Sequence, residues 1–406
     1  MIDVQAIRRD FPMFAAHPEL VYFDNGATTL KPQCVIDAVT GFYTGHTSNV
    51  HRGDYAIAAM NDRLYDGARD SFARLLNCRP EEIAFTHNAT ASLNQIAWGL
   101  SHDFLKRGDV ILTTEAEHAS NLLPWFRLSH DYGIEIRYIP VDKEANIRLD
   151  AFQEAMRPEV KAVAVAMVTN VLGSVQPIKE MARIAHENGA LMIADGAQAV
   201  PHMKVDVRDL DLDFLAFSAH KICGPDGVGI LYGKKDLMEQ MSPIFLGGDM
   251  NARFQKSLTY ELKHTPLKFE SGTPNIEGVI GAAKACDYIM NIGLDEIHEY
   301  ERKLRAVFLE KMSKLDNIVI YNPDNEYGPI DFNAKDVFSQ DAAGYLASRN
   351  IAVRSGNHCA KILHEVIGTD STIRASLYFY NTEEEVEMCV RACADISLEN
   401  AIGIFF

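Results

Sequence analysis

The chain has 406 residues, 47% of them hydrophobic, which is enough for two domains with a sizeable core. Acidic residues outnumber basic ones 56 to 39, and the net charge of -17 argues against nucleic acid or an anionic membrane as a partner. We expect a cytoplasmic protein, because the amino terminus lacks a signal-peptide pattern, no apolar run approaches the roughly 18 residues of a membrane span, and seven scattered cysteines are unlike a secreted disulfide framework.

Short apolar runs alternate with amphipathic helical stretches from about position 60 to 235. This alternation predicts an α/β fold with a mainly parallel sheet. The predicted strands are residues 110–114, 134–139, 162–168, 190–194, 214–217 and 228–232. A helix between the third and fourth strands is predicted to begin near Pro177 and to end at Asn188 and Gly189.

The pattern changes past about position 285, where a long charged helix over 294–315 precedes a strand over 318–321 and a final helix from Thr382. We therefore predict a second, smaller α+β domain. The large α/β domain is assigned to residues 22–285, and the small domain to residues 1–21 together with 286–406.

Polar residues cluster directly after four of the predicted strands. They are His118, Asn170, Asp195 with Gln198, and Ser218 with His220 and Lys221. Ligand sites of open α/β sheets lie at the carboxyl ends of the strands. The sequence therefore predicts that these side chains converge on one crevice.

Lys221 and Asp195 give that crevice a chemical character. A lysine amine in such a crevice forms an imine with a carbonyl cofactor, and a carboxylate holds the ring nitrogen of pyridoxal phosphate protonated. Gln198 and Asn170 are placed to reach the phenolic oxygen of this cofactor. The alternatives are a solvated turn lysine at Lys221 and a helix N-cap at Asp195.

A phosphate group needs several donors, and the stretch 86–90 offers backbone amides at the start of a helical pattern over 92–100. Thr90 would add its hydroxyl, and Ser218 and His220 would complete the contact. Asn and Thr are also ordinary helix caps. His118 is placed to stack on the cofactor ring and to move protons near neutral pH, although a lone histidine is more often a surface or capping residue.

Motifs along nearly the whole chain resemble the fold-type-I pyridoxal-phosphate enzymes and, within them, the group II cysteine desulfurases of iron-sulfur assembly. The resemblance implies an aminotransferase-like fold with a large cofactor-binding domain. The motifs lie at residues 22–29, 49–53, 117–121, 194–198, 218–221, 269–275, 354–360 and 374–376.

The resemblance assigns a role to each candidate residue. Lys221 would bind the cofactor covalently, Asp195 would pair with its ring nitrogen, and His118 would stack on the ring. The remaining cofactor contacts would be Asn170, Gln198, Thr90, Ser218 and His220. Thr273 would reach the phosphate bound by the other subunit, which implies a homodimer.

For the substrate, the resemblance implies that Arg374 clamps the carboxylate of L-cysteine bidentately, with Arg354 as its neighbour and Asn170 as a further contact. A surface ion pair is the alternative for either arginine. Cys389 and Cys393 lack a second ligand pair and are expected to pack in the core, so no metal site is expected. No role is assigned to Cys223.

Cys359 lies in a polar stretch, residues 354–358, that predicts an exposed loop, and the nearby cations would favour its thiolate. The resemblance implies that this thiol attacks the sulfur of L-cysteine, leaving L-alanine and a persulfide on Cys359. An acceptor protein of iron-sulfur assembly would then receive the sulfur. The chain departs from its relatives at Asn357 and at residues 87–89.

Three alternatives remain at this point. A selenocysteine lyase would use the same residues on a selenium substrate. An aminotransferase or another lyase of the same fold would have Cys359 only incidentally. A catalytically silent binding subunit would have lost Lys221 or Cys359, and both are present.

Overall fold

The computed structural model describes residues 2–403. Its helices are α1 Val4–Arg8, α2 Pro12–Ala16, α3 Gln33–Gly45, α4 Ala56–Leu76, α5 Ala89–Asp103, α6 Leu123–Tyr132, α7 Leu149–Ala155, α8 Ile178–Glu187, α9 Lys235–Gln240, α10 Ile276–Ile292, α11 Leu294–Met312, α12 Ser339–Ala347, α13 Lys361–Ile367, α14 Glu383–Ala394 and α15 Leu398–Gly403. Its strands are β1 Val21–Tyr22, β2 Ile83–Thr86, β3 Val110–Thr114, β4 Glu135–Ile139, β5 Val160–Ala166, β6 Leu191–Asp195, β7 Phe214–Ser218, β8 Gly229–Gly233, β9 Asn251–Phe254, β10 Tyr260–Leu262, β11 Ile318–Ile320, β12 Ile330–Ala334, β13 Ile351–Ala352, β14 Arg354–Gly356 and β15 Thr372–Ala375.

A seven-stranded sheet in the order β2-β8-β7-β6-β5-β3-β4 forms the centre of the molecule. The pairs from β7 to β4 are parallel, whereas β8 runs antiparallel to both of its neighbours. The predicted α/β fold and its six strands are confirmed, with ends shifted by at most two residues. Strand β2 was not predicted, because it is an edge strand of only four residues.

Both faces of this sheet are covered, which explains why its strands are apolar throughout. Side chains alternate between the two faces. One face packs under α5 and α6 through a cluster that includes Ile111, Ile193 and Phe214. The other face packs against the largest core cluster of the molecule, which includes Leu112 and Phe217.

The predicted helix near Pro177 is confirmed as α8, whose N-cap is Pro177 and which is followed by Gly189 at a φ of +73°. The predicted long helix is α11, which ends three residues early, at Met312. The helix predicted from Thr382 is α14, and the side chains of Thr382 and Glu385 form a capping box there. It is not the final helix, because α15 follows it. In α15 the amide of Asn400 donates a hydrogen bond to the Ser397 hydroxyl.

A smaller antiparallel sheet in the order β11-β12-β15-β14 lies in the carboxyl-terminal part. Its core side includes Phe332 and Ile373, which pack with α11, α12 and α14. Directly opposite residues on neighbouring strands share a face, so Asp331, Arg374 and Arg354 form one row across β12, β15 and β14. This sheet therefore has one apolar face and one face with charged residues.

The predicted boundary at residue 285 falls inside helix α10, which packs against α3 and α4. Phe11, from the segment predicted to join the small domain, lies in the largest core cluster. The division into domains stays a prediction. Within residues 2–403, no helix combines the length and the apolar character that crossing a membrane requires.

Candidate active site

A cavity of about 330 Å³ lies where the carboxyl ends of β3, β5, β6 and β7 face the charged side of the small sheet. Of the residues predicted from the sequence, the cavity is lined by Thr90, His118, Asn170, Asp195, Gln198, Ser218, His220, Lys221, Arg354, Cys359 and Arg374. Thr273 does not line it, and its exposed hydroxyl lies 3.5 Å from Asn49 Nδ2. The polar residues that follow the predicted strands thus form a single site within one chain.

Lys221 and Asp195 both line this cavity, Asp195 as a buried and Lys221 as a half-buried residue. Asp195 ends β6, and its Oδ1 accepts a hydrogen bond of 2.9 Å from the amide of Ala197. Lys221 ends the short helical turn after β7. Burial lowers the pKa of Lys221 to about 8, against the opposing effect of the Asp195 charge, so a neutral amine is accessible near neutral pH.

His118 is held as a neutral imidazole. Its Nδ1 accepts a hydrogen bond of 3.1 Å from the amide of Ser120, which leaves Nε2 as the protonated nitrogen. Burial lowers the pKa of His118 to about 4, and the charges of Lys221 and Arg374 act in the same direction. The ring therefore stays uncharged across the physiological range.

Donors surround the start of α5, which follows the unpredicted strand β2. The amide of Ala89 donates to Ser218 Oγ at 2.8 Å, which ties the first turn of α5 to the end of β7. Thr90 Oγ1 lies 2.7 Å from Ser120 Oγ. The first turn of a helix favours anions, although the amides of Ala89 and Ala91 are already bonded to Ser218 Oγ and Asn88 Oδ1. The arrangement is suited to a phosphate group.

The two arginines differ in their partners. Arg354 forms a bidentate pair with Asp24, with contacts of 3.0 and 2.9 Å. Arg374 is almost fully buried and donates from Nη1 to the carbonyl of Asn170 at 2.8 Å, while its Nη2 lies 3.8 Å from Asp24. Its Nε has no hydrogen-bond partner among residues 2–403. Arg374 therefore has no bidentate carboxylate partner of its own, whereas Arg354 is already paired with one.

Cys359 is exposed, as predicted, but the polar stretch before it is not wholly a loop, because residues 354–356 form β14 and His358 is buried. Both Cys359 and His358 have positive φ angles, 57° and 50°. The carbonyl of Cys359 accepts a hydrogen bond from the amide of Ala119 at 2.8 Å, and the carbonyl of His358 accepts one from Asn170 at 2.7 Å. These contacts place the thiol at the cavity beside the turn that carries His118.

Sequence reasoning missed three groups that shape this site. The carboxylate of Asp24 contacts both Arg354 and Arg374. Asp24 lies in the motif at residues 22–29, but no role was assigned to it from the sequence. Ser120 contacts both Thr90 and His118. Glu117 is buried behind His118, and its carboxylate accepts hydrogen bonds from Thr114, Asn121 and the amide of Ala166 at 2.6 to 2.8 Å. Its place directly before His118 at a strand end was the only available signal.

The residues present fit pyridoxal phosphate. The buried Asp195 lines the cavity with a carboxylate, Lys221 supplies an amine, and the start of α5 supplies anion donors. Asn170 Oδ1 is buried without a partner among the described residues, although its amide nitrogen is bonded. A polar ligand that donates a hydrogen bond to Asn170 Oδ1 would satisfy this buried oxygen.

Comparison with known proteins agrees with this geometry. The model of the aminotransferase class-V family matches residues 21–389. The chain belongs to this family. Its members are pyridoxal-phosphate enzymes, so the predicted cofactor is confirmed at the level of the family.

The curated relatives narrow the activity. A probable cysteine desulfurase of Halalkalibacterium halodurans is 41% identical over 369 residues, covering 91% of each chain. A cysteine desulfurase of Haloferax volcanii is 38% identical, covering 96% of each. Among solved structures, a cysteine desulfurase of Thermococcus onnurineus superposes with a TM-score of 0.93 at 38% identity, covering 97% of this chain and 98% of that one. The resemblance read from the motifs, the fold and the enzyme class is confirmed.

Proposed function

We propose that this chain is a cysteine desulfurase that converts L-cysteine to L-alanine and holds the released sulfur as a persulfide on Cys359. One observation carries the proposal. The exposed thiol of Cys359 lies at the same cavity as Lys221, Asp195 and the partly unpaired guanidinium of Arg374. The names of the relatives at 36 to 41% identity support it.

When bound, pyridoxal phosphate supplies an electron sink that makes the α proton of the substrate acidic and weakens its bond from Cβ to sulfur. Asp195 would keep the ring nitrogen protonated through its buried carboxylate. Lys221 would take the α proton with its neutral amine, which the lowered pKa of about 8 makes accessible. His118 would lie against the ring as an uncharged imidazole.

Arg374 would orient the substrate by binding its carboxylate with two parallel hydrogen bonds. Arg354 is less suited to this role, because its guanidinium is already paired with Asp24. Asn170 would assist, because its backbone carbonyl accepts a hydrogen bond of 2.8 Å from Arg374 Nη1.

Sulfur transfer would be performed by Cys359. Its thiolate attacks the sulfur of the substrate, a sulfur-sulfur bond forms, and the bond from Cβ to sulfur breaks with its electron pair left on carbon. Cβ then takes up a proton, Lys221 returns a proton to Cα, and the product leaves as L-alanine. An acceptor protein of iron-sulfur assembly would draw the sulfur from the exposed loop.

The active form would be a homodimer. The hairpin β9–β10 and the segment before it expose large apolar side chains, with Phe254 75% and Leu258 91% exposed. Exposed apolar patches of this kind mark interaction surfaces. Thr273 lies outside the cavity of its own chain, in keeping with a contact to the phosphate of the other subunit.

The seven unpaired cysteines suit a reducing compartment such as the cytoplasm.

The test is the product balance with L-cysteine in the presence of a reductant. We expect L-alanine and sulfide in equal amounts, and neither from a Lys221→Ala variant. Pyruvate and ammonia in place of alanine would identify a carbon-sulfur lyase instead, and 3-mercaptopyruvate without sulfide would identify an aminotransferase. Rates on L-cysteine and L-selenocysteine, measured side by side, distinguish a desulfurase from a selenocysteine lyase.

A further inference from the structure

The loop that carries Cys359 has a backbone that needs support. His358 and Cys359 are consecutive residues other than glycine with positive φ, a conformation that persists only where the surroundings hold it. The exposed side chain of Cys359 provides no packing of its own. The support must come from its neighbours.

Four buried side chains lie directly behind this loop. They are Asp331 on β12, Thr372 on β15, His358 and His364. Thr372 Oγ1 is their common centre, at 2.9 Å from Asp331 Oδ1, 3.1 Å from His358 Nε2 and 3.3 Å from His364 Nε2. We call these four residues the buried polar cluster.

The buried polar cluster holds the residues on both sides of Cys359. The side chain of His358, which precedes the thiol, is fully buried in it. The carbonyl of Ala360, which follows the thiol, accepts a hydrogen bond of 3.0 Å from His364 Nδ1. The two flanks are thereby joined through the single hydroxyl of Thr372.

Two hydrogen bonds of the cluster have a defined donor. His364 Nδ1 carries a proton, because the carbonyl of Ala360 can only accept. The hydroxyl of Thr372 donates to Asp331 Oδ1. Burial raises the pKa of Asp331 well above its ordinary value, and removal of the Thr372 hydroxyl would leave this buried carboxyl without its donor.

We propose that the buried polar cluster is a positioning device that fixes the backbone of Cys359 for attack on the substrate sulfur. Asp331, Thr372 and His364 do not line the cavity, and their hydrogen bonds reach the Cys359 loop through His358 and Ala360. The proposal rests on the role proposed above for Cys359. It predicts that loss of the central hydroxyl impairs sulfur transfer and leaves the chemistry at Lys221 intact.

The test compares Thr372→Val, which keeps the shape and removes the hydroxyl, with Thr372→Ser, which keeps the hydroxyl. Thr113→Val is the matched control, because Thr113 is equally buried and its hydroxyl has no partner among residues 2–403. His364→Phe is a second variant that breaks the cluster at its outer end, in case Thr372→Val does not fold.

Three quantities are measured on each holoenzyme. They are sulfide release from L-cysteine, exchange of the Cα proton of L-alanine in D₂O, and hydrogen exchange of the amides of Ala119 and Ala360. In Thr372→Val and His364→Phe we expect sulfide release to fall at least tenfold and both amides to exchange at least tenfold faster, with alanine exchange within twofold of wild type. Thr372→Ser and Thr113→Val should match wild type in all three.

Wild-type sulfide release in both cluster variants would overturn the proposal, and so would a parallel fall in sulfide release and alanine exchange. If the wild-type enzyme releases no sulfide, the proposed function fails. The amide exchange rates still decide in that case whether the cluster fixes the loop.

Discussion

Arg354 and Arg374 lie directly opposite each other on the antiparallel strands β14 and β15, and the carboxylate of Asp24 contacts both. Two like charges facing each other across a sheet are unfavourable unless an anion lies between them. Asp24 supplies that charge, mainly to Arg354, through the bidentate pair. The buried Arg374 remains available for a carboxylate from the substrate.

Arg374→Lys should raise the KM for L-cysteine about tenfold or more, because lysine keeps the charge but loses the bidentate contact, and hydrogen bonds to charged groups contribute about 1.5–3 kcal/mol. Steady-state kinetics with L-cysteine measure this effect. Arg354→Lys is the matched control and should raise KM less, since Arg354 is engaged with Asp24. A larger rise in KM for Arg354→Lys than for Arg374→Lys would show that Arg354, not Arg374, binds the substrate carboxylate.

Gly229→Ala should weaken pyridoxal phosphate binding at least tenfold. A Cβ at position 229 would lie 2.4 Å from the backbone carbon of Asn88 and from Thr86 Oγ1, so the start of α5 would have to move. Titration of the cofactor-free protein with pyridoxal phosphate, followed by absorbance, measures the affinity. Gly67→Ala on α4 is the control, because a Cβ there meets nothing within 4 Å. Unchanged affinity in Gly229→Ala would exclude the start of α5 as the phosphate site.

Asp195→Asn should lower the pKa of Lys221 below about 8 in the cofactor-free protein, because the Asp195 charge opposes the effect of burial. The pH dependence of acylation at Lys221 by a small reagent, followed by peptide mass spectrometry, measures this pKa. Asparagine keeps the size of the side chain, so packing should be preserved. A pKa at or above the wild-type value would show that the two groups are not coupled.

His220→Gln should flatten the acid dependence of stability in the cofactor-free protein. Burial and the charges of Lys221 and Lys31 lower the pKa of His220 to about 4, from an ordinary value near 6.5. The unfolded chain therefore binds this proton more readily, and the stabilisation present above pH 6.5 is lost as pH falls toward 4. Urea unfolding of both proteins from pH 4 to 8 measures the difference. Parallel curves would contradict the lowered pKa.

The sequence was sufficient to predict the convergence of His118, Asn170, Asp195 and Lys221, because each follows a buried strand and parallel strands present their carboxyl ends together. Strand β2 was missed because four residues at a sheet edge carry little periodicity. Its omission left the start of α5 without a structural reason for lying at the site.

Local sequence patterns do not predict contacts between segments that lie far apart in the chain. Asp24 meets Arg354 across 330 positions of the chain. No strand was predicted at Asp331 or Thr372, and nothing nearby in the sequence indicates that His358 and His364 contact the hydroxyl of Thr372. The motifs identified which residues matter at the cavity, and the fold identified which residues hold them.

The proposed function requires that Cys359 receive the sulfur of L-cysteine. The direct measurement is the mass of the peptide that contains Cys359 after the holoenzyme is exposed to L-cysteine without reductant. Cys34→Ala is the control for an exposed thiol that does not line the cavity. We predict one added sulfur atom on Cys359 in the wild-type and Cys34→Ala proteins, and no sulfide release from Cys359→Ala in the presence of reductant. An unmodified Cys359, together with wild-type sulfide release from Cys359→Ala, would show that Cys359 does not receive the sulfur.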